Sequence, residues 1–236
     1  MNRALTAAVG LAVVLALAGC APAVVTPTAA PTIAPVATPT PTPTPTAPPT
    51  LAQLVLSPDG IGPLQINEPV PAQSGPTAVV TWDANACPAN GSGDYAGAWL
   101  ANYPKTGEKE ISNPDRAVFT FESKQKNSQI TSATIWSSEI KTAEGIGIGS
   151  TPAQLTAAYG SNLKKKHGQL SDLYSLEGAA GTLVFEVPTA PDTSTEHVWT
   201  TADLGKVIWM YLFAGKGGDV ISLMGNQQAG SCFVGE

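Results

Sequence analysis

Residues 21–50 hold ten prolines and nine threonines, with no glycine and no charged residue. Proline locks φ and removes a backbone donor, so a segment this rich in it can form neither helix nor sheet. The composition predicts a disordered, Pro/Thr-rich tether of solvated, polyproline-like backbone. At about 3.1 Å per residue its reach is on the order of 90 Å when extended. It closes on "TPTPTPTPTAPPT" (38–50), and Thr/Pro tracts of this kind are candidate O-glycosylated stalks. A passive linker has the same composition. Either way the tether splits the chain into a leader and a folding part that starts near residue 51.

The leader begins with Arg3 and continues as an uncharged, mostly apolar run, Leu5 to Ala18. A transmembrane helix needs roughly 20 apolar residues, whereas a run of this length suits the h-region of an export signal. Leu17, Ala18, Gly19 and Cys20 resemble the lipobox of bacterial lipoproteins. The resemblance implies cleavage before Cys20 and lipidation of its thiol by diacylglycerol with palmitate-type chains. It places the mature chain at the cell membrane, on the extracytoplasmic face. The alternative is an ordinary secretory signal with a cysteine by chance. Lipidation of Cys20 would leave Cys87 and Cys232, which can pair outside the reducing cytoplasm. Their disulfide would close a long loop, for which chain entropy gives about 4–5 kcal/mol.

The expected organisation is signal peptide 1–19, lipidated cysteine and linker 20–50, a first half-repeat 51–142 and a second 143–236. The strongest local signal is "TAEGIGIGSTPAQLTAAYG" (142–160). Thr151 and Gln154 form a T-x-x-Q capping box, Pro152 suits the first helical position and Gly160 supplies a stop. Leu155, Ala158 and Tyr159 then share one face of a helix over about 151–159. Upstream, "PDGIGPLQINEPVPA" (58–72) offers a diverged copy, with Asp-Gly-Ile-Gly against Glu-Gly-Ile-Gly at 144–147. Paired β-rich segments follow each copy: 116–123 and 129–140 in the first half, 182–189 and 206–215 in the second. The predicted class is therefore α+β, two diverged repeats of short helix plus antiparallel strands. Lys164, Lys165, Lys166 and His167 read as a solvated turn at the helix exit.

The pattern "GIGIGSTPAQLTAAYG" followed by strands resembles the helix opening of BamE-type outer-membrane assembly lipoproteins. Their fold is similar to that of tandem-repeat beta-lactamase inhibitor proteins. The likeness covers 143–213 and, more loosely, 58–142. It implies short helices packed on antiparallel sheet and a binding role rather than catalysis, and it transfers no binding residue.

Catalytic and metal chemistry find little purchase. His197 follows Glu196, with Asp203 nearby, but lacks the spacing of a zinc motif. No G-x-S-x-G elbow or G-x-G-x-x-G loop is present, and "GIGIGS" has the wrong spacing for a dinucleotide loop. Glu108 and Glu110 lie in a polar stretch that needs no catalytic role. No catalytic residue, metal site or cofactor is expected. The chain carries a formal charge of −6, and loss of Arg3 with the leader makes the mature part more acidic, which argues against nucleic acid.

In "VIWMYLF", Ile208, Met210 and Leu212 alternate with Trp209, Tyr211 and Phe213. A strand apolar on both faces is usually central and covered. The alternative is an open aromatic face, extended by Trp136, that contacts a partner. The leading expectation is a lipid-anchored, extracytoplasmic binding or assembly module with a protein or envelope component as partner. An exported hydrolase with an unrecognised site and a purely structural envelope lipoprotein are the alternatives.

Overall fold

The computed structural model describes residues 47–72, 77–85, 97–104, 117–192 and 199–216. Helix α1 (Pro152–Tyr159) lies where its caps put it. Gln154 N donates to Thr151 Oγ1 at 3.4 Å while Thr151 N donates to Gln154 Oε1 at 2.8 Å. These bonds satisfy donors that a helix start leaves orphaned. Gly160 ends the helix at φ +53°, a region that favours glycine. Leu155 is fully buried, and Ala158 and Tyr159 pack against the same core. The glycine segment before the helix is a turn. It is tied to the chain ahead of the last strand by Gly149 N donating to Val207 O at 2.7 Å and Val207 N to Ser150 O at 2.8 Å.

The remaining elements are strands. β1 (Leu56–Ser57), β2 (Gly60–Ile61) and β3 (Leu64–Gln65) form a small antiparallel sheet. β4 (Val80–Asp83), β5 (Ala98–Ala101), β6 (Phe119–Ser123), β7 (Ile130–Ile135), β8 (Leu163–His167), β9 (Ser171–Glu177), β10 (Gly181–Pro188) and β11 (Trp209–Ala214) form a second sheet. Its order is β4-β5-β6-β7-β11-β10-β9-β8. Every neighbouring pair in this sheet runs antiparallel. Two four-stranded meanders thus meet where β7 pairs with β11.

Period-2 alternation decides which face is the main core. Phe119 pairs with Ile135, Ile135 with Met210, and Met210 with Phe185, so one row of apolar side chains crosses the sheet. This row joins one core cluster with Leu56, Ile61 and Leu64 of the small sheet and Leu155 of α1. Full burial of side chains of this size contributes roughly 1.5–3 kcal/mol each. The opposite face carries Trp209, Tyr211 and Val184, with Leu173, in a second, smaller cluster. Ahead of β1, a 3-10 turn (Leu51–Gln53) is closed by Thr50 N donating to Gln53 Oε1 at 2.8 Å, and the Tyr103 hydroxyl donates to Pro49 O at 2.8 Å.

This architecture corrects the expected two repeats of helix plus strands. The chain is mostly β, and α1 is the only α-helix among the described residues. Residues 58–72 form no helix. Pro69 and Pro71 exclude one, and left-handed backbone at Gly62 (φ +54°) and Asn67 (φ +68°) turns the chain sharply there. The lysine run 164–166 is also not a turn. It is edge strand β8, paired with β9 from Leu163↔Leu176 to His167↔Asp172. Pairing to a formed neighbour overrides weak local propensity, and lysines suit a sheet edge because they resist edge-to-edge association.

Candidate functional site

A surface groove of about 600 Å³ opens beside the small sheet. Its walls come from Val55 to Pro58, the turn Thr142–Glu144, the C-terminal end of α1, and β8 and β9 at Lys164 and Leu176–Gly178. The segments meet because Leu56 N donates to Lys141 O at 2.9 Å and Leu56 bridges Thr142 in parallel. The volume lies within the range of small-ligand sites, roughly 300–1,000 Å³.

Tyr159 is the centre of the polar wall. Its position at the end of α1 stacks its ring on Phe185, with centroids 6.0 Å apart and planes at 25°. Its hydroxyl lies 2.6 Å from Thr142 Oγ1 and 3.0 Å from Glu144 Oε2. Burial, reinforced by the hydrogen bond and negative charge of Glu144, pushes the phenol up to about 12 against the opposing effect of Thr142. Burial also raises Glu144, but hydrogen bonds from its own backbone N–H, Thr142 and Tyr159 outweigh it and hold the carboxyl below its ordinary value. At neutral pH the phenol is therefore a donor and Glu144 an ionised acceptor. Across the groove Lys164 Nζ meets Glu177 Oε1 at 2.6 Å. Val55, 47% exposed, gives the rim an apolar lip. The arrangement can hold a ligand by hydrogen bonds and apolar contact. As a base, Tyr159 would require strongly alkaline conditions.

The aromatic row is mostly covered. Trp209 is 4% and Tyr211 8% exposed, while Trp136 and Phe213 are half-buried. Trp136 packs edge-on against Trp209 at 5.7 Å and 87°, and Tyr211 stacks on Phe213 at 6.4 Å. Trp199 and Ile208 complete the cluster. The covered reading of this strand thus holds at its two central residues, and the alternative of an open face is closed there because Trp199 and Leu204 pack onto it. The Trp209 indole N–H is buried without a hydrogen-bond partner. Burial, with the charge of Glu186, raises the Tyr211 phenol well above its usual value. Glu186 is itself fully buried, opposite Trp209 in the register, and accepts from Ser171 Oγ at 2.7 Å. Alternation alone did not disclose this buried carboxylate.

Cys20, Cys87, Cys232, His197, Glu196, Glu108 and Glu110 lie outside the described residues. Asp203 closes the capping box of a 3-10 turn (Thr201–Asp203): its Oδ2 accepts from Thr200 N at 2.7 Å and Thr200 Oγ1 at 2.8 Å. His167 Nδ1 lies 2.6 Å from Asp172 Oδ1, whose other oxygen holds Lys165 Nζ at 2.7 Å. Among the described residues no group of three or more His, Cys, Asp or Glu is placed to hold a metal, and no helix is long and apolar enough to cross a membrane. The Tyr159, Thr142 and Glu144 cluster is not legible as a motif in the sequence. Its one visible signal was a tyrosine on the packed face of a capped helix.

No family model and no curated protein matches the chain. The BamE-type family is therefore not confirmed. Among solved structures the chain is similar to the crystal structure of the uncharacterized protein yfeY from Escherichia coli, at 13% identity and a TM-score of 0.37, covering 68% of this chain and 99% of that one.

Proposed function

We propose that this chain is a lipid-anchored, extracytoplasmic binding or assembly module of the bacterial envelope, with a protein or other envelope component as partner. The observation that carries the reading is the order of its parts: an apolar leader ending Leu17-Ala18-Gly19-Cys20, a charge-free Pro/Thr tether, then a β-rich fold. Two acyl chains anchor stably where one is marginal, and the tether sets the fold away from the lipid surface. The groove at Tyr159, about 600 Å³ with both polar and apolar walls, offers such a partner group a place to bind.

Two measurements on the full chain test this. Mass spectrometry of the mature N-terminus should find diacylglycerol on Cys20, and Cys20→Ser should abolish it and shift the protein from the detergent to the aqueous phase. An unmodified mature cysteine overturns the anchor. A photo-crosslinking residue at Val55, on the groove lip, should give a discrete adduct in intact cells that the same residue at Ala153, on exposed α1, does not. Equal labelling at both positions overturns the groove as partner site.

A further inference from the structure

We draw no further inference here: the strongest candidate, the groove between the β1 edge, the Thr142–Glu144 turn and the end of α1, belongs to the site already described, its hydroxyl, carboxylate and ammonium groups already bond to one another, and nothing in the structure shows what covers it.

Discussion

The Asp59 carboxylate accepts a 2.6 Å hydrogen bond from the backbone N–H of Ala180 and another at 3.3 Å from Gly181. The turn of the small sheet is thereby fastened to the β9–β10 turn of the large one. The approach is close: a Cβ at Gly181 would meet Pro58 O at 2.6 Å and Phe213 O at 2.9 Å. Burial raises the Asp59 pKa, but the backbone N–H groups of Ala180, Ala179 and Gly181, with the charge of Lys216, outweigh it and hold it below its ordinary value. Asp59→Ala should destabilise by about 1–3 kcal/mol at neutral pH, the cost of orphaned donors. A carboxyl depressed in the folded state stabilises above its unfolded pKa, near 3.9, and that contribution is lost as pH falls through the folded value. Urea midpoints of wild type and Asp59→Asn should therefore converge on acidification. A gap that stays constant from neutral to strongly acidic pH overturns the ionic part of this clasp.

Trp209 is a second stability site. Removing a buried indole leaves a cavity, so Trp209→Ala should cost roughly 3–5 kcal/mol and lower the melting temperature markedly. Trp209→Phe keeps an aromatic body and deletes the unpartnered N–H, so it should recover more than half of that loss. If Trp209→Ala melts like wild type and instead weakens partner capture, the aromatic row is an exposed interaction face after all.

The Tyr159 phenol should remain protonated where an ordinary tyrosine, near 10, ionises. Its pKa is raised in the folded state to about 12, so its contribution is present below the unfolded value and lost as pH rises through the folded one. The ultraviolet difference between wild type and Tyr159→Phe should show no tyrosinate near pH 10 while the protein is folded. Tyr159→Phe should cost about 0.5–1.5 kcal/mol through the lost bonds to Thr142 and Glu144. A normal phenol titration would contradict this hydrogen-bonded network.

For the cysteines, alkylation of the unreduced mature chain should label neither Cys87 nor Cys232, and reduction should expose both. Peptide mapping should then recover the two joined as one disulfide-linked species. Ready labelling of both under native, oxidising conditions removes the pairing.

Local chemistry made α1 legible. Thr151, Pro152, Gln154 and Gly160 specify its ends through bonds made within one or two turns, and Leu155 needs only the helical period to face inward. The strands β6, β7, β10 and β11 were legible for a similar reason, since their alternation is written in consecutive residues. The Pro/Thr composition of residues 21–50 supports an expectation of the same local kind, a tether without helix or sheet, of which residues 21–46 lie outside the described residues. What only tertiary structure decided is everything that depends on distant partners. Lys164, Lys165 and Lys166 form a strand because β9 offers them a ladder, and the small sheet of 56–65 is held by its Asp59 turn docking on the 178–181 turn. Two apolar faces on β11 leave open whether the aromatic one meets water, and packing of Trp199 and Leu204 closed it. Tyr159, Thr142 and Glu144 converge because α1 folds back over the turn that precedes it. Caps, alternation and proline act within a few residues, whereas burial, register and hydrogen bonds across more than a hundred residues exist only once the chain has closed on itself.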